Sequence, residues 1–264
     1  MDHLGILGCG WLGEYLANRL YSEKWSVKVS RTSAKGKGEL KAKGWDSYRI
    51  KLNSLSIEGD LNFFENLDTL LISVPPKRDA PSQFEDMIAT LLEHMKLHPG
   101  CKLIFLSSTS VYGKQAGIFK ENSPISPETE ASKALVLCEK MILNAPQRSL
   151  IIRLGGLVGE DRNPIFSLQK KTIPNPRGRI NFVSQVDVVN GIEEFLKYPQ
   201  MEGIFNLVSP HHPVREEYYR EMAKKYNLPE PQFDYNDSPS ERFVEASKIE
   251  ELTAFRYTVN NLLI

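Results

Sequence analysis

Leu4-Gly5-Ile6-Leu7-Gly8-Cys9-Gly10-Trp11-Leu12-Gly13 is the stretch on which the reading of this chain turns. A short apolar run breaks into Gly-x-Gly-x-x-Gly, after which Leu12, Tyr15, Leu16 and Leu20 fall on one helical face. Strand, glycine turn and helix in that order are what a phosphate-binding turn needs. Gly8 permits the tight turn, Gly10 lets backbone approach a pyrophosphate, and Gly13 lets helix and strand pack closely. The helix start at Trp11 and Leu12 presents unpaired amides and a positive dipole end to the phosphates. Glycine is common, so the pattern gains its weight from its place; a plain strand-to-helix turn is the competing explanation.

A second apolar run, residues 27–30, ends in Ser30-Arg31-Thr32. An NAD-preferring site carries a carboxylate about 20 residues beyond the glycine turn, for the ribose 2′-hydroxyl. Here a guanidinium and two hydroxyls suit a 2′-phosphate, so the expected coenzyme is NADP(H), with NAD(H) still open. Lys35 and Lys37 add positive charge nearby, although a solvated basic loop would read the same way. Farther on, Ser73-Val74-Pro75-Pro76 closes another apolar run; Val74 and Pro75 either wall the coenzyme or simply stop the strand.

Apolar runs at 4–7, 27–30, 69–74, 103–107 and 150–154 are too short for helices and read as buried strands. Helical faces lie between them: Phe84, Ile88, Leu91, Leu92 and Met95, then Leu137, Cys138, Met141 and Ile142. The alternation predicts an α/β fold, a doubly wound parallel Rossmann sheet with a small C-terminal substrate lobe. The expected division is 1–158 plus 179–208 for the dinucleotide domain and 159–178 plus 209–264 for the lobe. Within the second half, Val186, Val189, Ile192 and Phe195 mark a helix, 205–208 a strand and 214–226 another helix.

Thirty-three basic and 33 acidic side chains cancel, so charge gives no reason to expect nucleic acid or a membrane as partner. No apolar stretch approaches the length of a membrane span, and no charged leader precedes the first strand. Cys9, Cys101 and Cys138, three at unrelated spacings, suit a reducing cytoplasm, and no metal is expected.

Leu103-Ile104-Phe105-Leu106-Ser107-Ser108-Thr109-Ser110-Val111-Tyr112-Gly113 is a buried strand running into a hydroxyl-rich turn. Following such a glycine turn, Ser-Ser-x-x-Val-Tyr-Gly resembles the extended short-chain dehydrogenase/reductase superfamily, the NAD(P)-dependent epimerases and dehydratases. The resemblance continues through Glu121 and Pro124, Arg153-Leu154-Gly155-Gly156-Leu157-Val158-Gly159, residues 181–189 and Ile204-Phe205-Asn206-Leu207. It implies that Ser108 orients substrate and that Lys133 holds the nicotinamide ribose, while Tyr112 is structural. A homodimer is implied by resemblance alone.

The family's Tyr-x-x-x-Lys pair corresponds here to Thr129-Glu130-Ala131-Ser132-Lys133, so the acid/base position carries a threonine. A phenol beside an ammonium can be drawn toward neutral pKa and pass a proton; an aliphatic hydroxyl is far too weak an acid. Ser126 as N-cap and Pro127 as first helical residue would place Thr129 in a helical first turn. The combination looks like the atypical branch of the superfamily. Two readings follow: an NADP(H)-dependent oxidoreductase or epimerase on a sugar nucleotide or small carbonyl compound, with Ser108, Thr129 and Lys133 as catalytic candidates, or a non-catalytic dinucleotide-binding regulator or redox sensor. The loop basic through Arg162, Lys170, Lys171, Arg177 and Arg179 favours a phosphorylated or carboxylated small molecule, or is a solvated face.

Overall fold

A computed structural model of the chain describes residues 3–76, 80–169, 171–236 and 241–263; Lys170 of the basic loop lies outside them. In chain order the elements are β1 (His3–Leu7), α1 (Trp11–Ser22), β2 (Ser26–Arg31), α2 (Ala34–Ala42), β3 (Asp46–Leu52), β4 (Ile57–Gly59), β5 (Thr69–Ile72), α3 (Ser82–Met95) and β6 (Lys102–Ser108). They continue with β7 (Gly117–Phe119), α4 (Glu130–Leu143), β8 (Ser149–Leu154), β9 (Gly156–Val158), α5 (Ile165–Leu168), β10 (Thr172–Pro174) and β11 (Phe182–Ser184). The last are α6 (Gln185–Leu196), β12 (Gly203–Leu207), α7 (Arg215–Lys225), β13 (Gln232–Asp234), β14 (Arg242–Val244) and α8 (Lys248–Leu252).

Eight strands form one mostly parallel sheet in the order β12-β8-β6-β5-β1-β2-β3-β4, as expected of a Rossmann-type α/β fold. From β1 the chain builds outward through β2 and β3, then returns to place β5 and β6 on the other side. The order therefore reverses beside β1, the switch point where open α/β sheets bind ligands at their strands' carboxyl ends. The glycine turn leaves β1 at that end.

The chain forms two compact units. The first comprises Met1–Ser107, Pro127–Ile152 and Tyr198–Ile204. Its core is the run of strand residues predicted from sequence, with Ile6, Val29, Leu70, Ile104 and Ile151 fully shielded from solvent. Helices α3 and α4 pack side by side. Two expectations need correction here. Tyr15 and Leu137, assigned to buried helical faces, are 39% and 43% exposed. Helix α1 buries Leu12, Gly13, Leu16, Ala17 and Leu20, and α4 turns Leu135, Cys138 and Ile142 inward, so each apolar stripe runs one side of the residue that looked central. Neither α2 nor β3 was legible: α2 carries two glycines among lysines, and β3, Asp-Ser-Tyr-Arg-Ile-Lys-Leu, is charged because only β4 lies beyond it.

The second unit comprises Ser108–Ser126, Arg153–Lys197 and Phe205–Ile264. Three two-stranded parallel pairs, β9 with β11, β10 with β13 and β7 with β14, bring distant segments of chain together. Val158, Ile165, Ile173, Ile180, Tyr218, Tyr219 and Met222 form its own apolar core. Asp187, fully buried in α6, accepts from Thr258 N and Oγ1 at 2.7 Å each and from Val259 N at 3.2 Å, which pins the C-terminal segment to that unit.

Candidate functional site

Gly8 has φ +89°, and a Cβ there would stand 2.7 Å from Val74 Cγ1 and 3.0 Å from Ser73 O, so only glycine makes the turn. Gly10 differs. Among the described residues, a Cβ on it would meet nothing beyond its chain neighbours closer than Gly8 O at 3.9 Å. Folding therefore leaves open the space above Gly10, which is the N-cap of α1 and lends the helix no side-chain cap. A cradle that a single methyl group would enter, at an uncapped helix N-terminus, fits a pyrophosphate. Leu12 and Gly13 face inward from the first turn of α1, and Gly13 sits 3.3 Å (as Cβ) from Ile6, the close helix-to-strand approach expected.

Ser30 is buried, and its hydroxyl accepts from Gly8 N at 3.2 Å and donates to Ile6 O at 3.3 Å, while Ser30 O receives Cys9 N at 2.8 Å. It braces the turn from beneath. Thr32 is exposed at the end of β2, as is Pro75 beyond β5; Val74, half-buried, packs against Gly8. Arg31 points back toward α1 and meets Glu14, which Lys43 meets from the other side. Sequence reasoning passed over both Glu14 and Lys43, because neither lies within the glycine pattern or the strand end. Lys37 is committed to Asp60 at 2.8 Å, and with the Arg49 amide it holds that carboxyl below its ordinary pKa. Lys35 reaches solvent, 3.9 Å from Glu39.

Ser108, the last residue of β6, caps a 3-10 turn, Thr109–Tyr112, by accepting from Ser110 N at 3.1 Å. Tyr112 is fully buried: its hydroxyl donates to Asn206 Oδ1 at 2.8 Å and accepts from Arg153 Nη1 at 3.0 Å. Burial holds its phenol above the ordinary pKa, against the pull of Arg153. Such a group braces its surroundings. Glu121 Oε1 accepts from Asn206 N at 2.9 Å in the same network.

The first turn of α4 corrects the sequence expectation. The helix starts at Glu130, not Pro127, and its N-cap is Thr129, not Ser126. Thr129 has extended φ −98° and ψ 152°, and its hydroxyl accepts from Ser132 N at 3.1 Å. Four residues on, Lys133 is half-exposed and pairs with Glu130 at 2.7 Å. A third feature went unread in the sequence: Glu139, on α4, is 2% exposed and accepts from the Ser107 hydroxyl at 2.5 Å.

His94 and His98 sit four residues apart, a spacing missed in reading the sequence, with ring centroids 5.6 Å apart. Among the described residues, no group of three His, Cys, Asp or Glu side chains is placed to hold a metal, and no helix is long and apolar enough to cross a membrane. His211 Nδ1 accepts from Leu262 N at 3.0 Å and His212 Nδ1 lies 3.0 Å from Ile180 O, so both serve the chain's own turns.

No protein-family model matches the chain. Protein YeeZ of Escherichia coli K12 is 33% identical over 270 residues, which cover 100% of this chain and 98% of that protein. Among solved structures, a conserved protein of unknown function from Silicibacter pomeroyi matches with a TM-score of 0.82 at 20% identity, over 100% of this chain and 96% of the other. UDP-glucuronic acid 4-epimerase from Bacillus cereus, solved in complex with NAD, matches with a TM-score of 0.78 at 18% identity, over 100% and 95% of the two chains. The fold is thus shared with NAD-dependent sugar-nucleotide epimerases and dehydratases.

Proposed function

The chain belongs to the family of Escherichia coli protein YeeZ, and from that footing we propose that it is a cytoplasmic NADP(H)-binding oxidoreductase or epimerase of the atypical short-chain dehydrogenase/reductase kind. Its substrate in this reading is a sugar nucleotide or a small carbonyl compound. The observation that supports the coenzyme is Gly10: the described residues leave room for a Cβ there, at an uncapped helix N-terminus where a pyrophosphate would lie in this reading. The solved epimerase of like fold holds NAD, which supports a dinucleotide in general. Arg31 at the end of β2 supports the 2′-phosphate form.

When bound, the coenzyme supplies hydride exchange at a carbonyl or carbinol carbon. In this reading Lys133 gives up Glu130 to hold the ribose hydroxyls, and Ser108 orients the substrate oxygen. Glu130 is an exposed partner at i,i+3, so releasing it costs little. The proton on that oxygen comes from water, relayed through the Ser108 or Ser110 hydroxyl, since no aliphatic hydroxyl, Thr129 included, is by itself an acid of the needed strength.

One observation favours a second reading. The Thr129 hydroxyl is occupied as a helix cap, which supports a structural role for it. A chain that keeps the coenzyme turn and loses the proton donor suits a dinucleotide-binding regulator or redox sensor. NADPH fluorescence in the presence of nucleotide sugars and aldehydes separates the two. Substrate-dependent loss of NADPH that vanishes in Lys133→Ala establishes the enzyme; tight NADPH binding without turnover across the panel establishes the regulator.

A further inference from the structure

Strand β2 ends on a guanidinium where an NAD-preferring site has a carboxylate. A carboxylate reaches the same place from another element. Glu14 follows the last glycine of the turn in the first turn of α1, and its two oxygens accept from Arg31 Nη2 and Lys43 Nζ respectively. The Glu14 amide donates to Gly10 O at 2.7 Å, so the cluster borders the phosphate cradle.

Neither cation owes its position to Glu14 alone. The Arg31 stem lies against Gly36 of α2, where a Cβ would stand 3.0 Å from Arg31 Cβ. Lys43 Nζ lies 4.9 Å from the Trp45 ring centroid, and that ring stacks on Tyr21 at 5.5 Å. The guanidinium also retains binding capacity: its Nε is buried without a hydrogen-bond partner. Glu14 satisfies one corner of a group that offers five donors.

We propose that Glu14 sets the coenzyme preference of this site, an inference that rests on the dinucleotide reading above. Its carboxylate offsets one of the two positive charges of Arg31 and Lys43 and supplies the acceptor for an unphosphorylated ribose, so NAD(H) is bound. The 2′-phosphate of NADP(H) has to take both cations from Glu14 while bringing negative charge against it. Arg31 and Lys43 draw the phosphate in; Glu14 opposes it. The site therefore accepts both coenzymes, and the strength of its preference for the phosphorylated one is limited from α1.

Calorimetric titration of the full chain with NADPH and with NADH tests this, using Glu14→Gln, which keeps the shape and removes the charge, and Arg31→Leu. Glu14→Gln is expected to tighten NADPH about tenfold relative to NADH, the scale of one charge-assisted hydrogen bond. Arg31→Leu is expected to weaken NADPH by a similar factor and leave NADH bound. Equal effects on the two coenzymes, or none, from Glu14→Gln in a chain whose parent binds both would overturn the role given to Glu14 alone. A parent that binds neither would remove the coenzyme reading and this inference with it.

Discussion

Thr129 and Ser132 cap each other at the entrance to α4: the Ser132 amide donates to the Thr129 hydroxyl at 3.1 Å, and the Thr129 amide donates to the Ser132 hydroxyl at 3.0 Å. Two amides that the helix itself cannot satisfy find partners in this way. Removing the hydroxyl in Thr129→Ala should lower stability by about 1 kcal/mol, the usual loss for a cap, and leave NADPH affinity unchanged. Urea unfolding and an NADPH titration of the same variant check both halves. A variant of undiminished stability that has lost turnover would instead make Thr129 a participant in the chemistry.

The phenol of Tyr112 joins Arg153 and Asn206 inside the second unit. Tyr112→Phe keeps the ring and removes a hydrogen bond from each of two buried partners, Asn206 Oδ1 and Arg153 Nη1, which should cost about 1–3 kcal/mol of stability. NADPH affinity is expected to remain that of the parent. Loss of coenzyme binding in a variant of parental stability would show that the tyrosine has a role at the site.

Burial pushes the thiols of Cys9, Cys101 and Cys138 from an ordinary 9.0 up to about 12. Above pH 9.0 the unfolded chain releases these protons and the folded one keeps them, so stability contributed below that pH is lost as pH rises toward 12. Lys102, lowered by burial from 10.5 to about 8 and donating to the Tyr198 carbonyl at 2.9 Å, works the other way between those values, one group against three. Urea midpoints should therefore fall from pH 9 to 11, and Ellman's reagent at pH 8 should find no reactive thiol until the chain unfolds. A rise in stability over that range, or a thiol titrated in the native protein, would contradict this placement of the three cysteines.

The sheet was legible wherever a strand is buried on both faces. The five runs at 4–7, 27–30, 69–74, 103–107 and 150–154 each correspond to a strand, because continuous apolar residues have few other uses at that length. The charged β3 at the sheet's margin and the glycine-rich α2 gave no such signal. At the site, the glycine spacing announced the turn, but the residues that complete it come from elsewhere. Glu14 stands 17 residues from Arg31 and 29 from Lys43 and meets them only once α1, β2 and α2 are assembled. The N-cap of α4 was misplaced for a related reason. Ser126 and Pro127 form a good local start signal, yet the Ser126 amide is bonded to Val111 O at 3.0 Å, and the chain does not turn helical until Glu130, after the Thr129 cap.

Gly10→Val puts the account to its most direct test. The described residues leave room for a Cβ at Gly10, so the variant should fold, while its side chain stands where a diphosphate would lie against the amides of α1. Calorimetric titration with NADPH should show binding by the parent and a loss of at least about a hundredfold in the variant, the cost of forfeiting two or more charge-assisted hydrogen bonds. Equal affinity in the two proteins would mean that no dinucleotide rests on this turn.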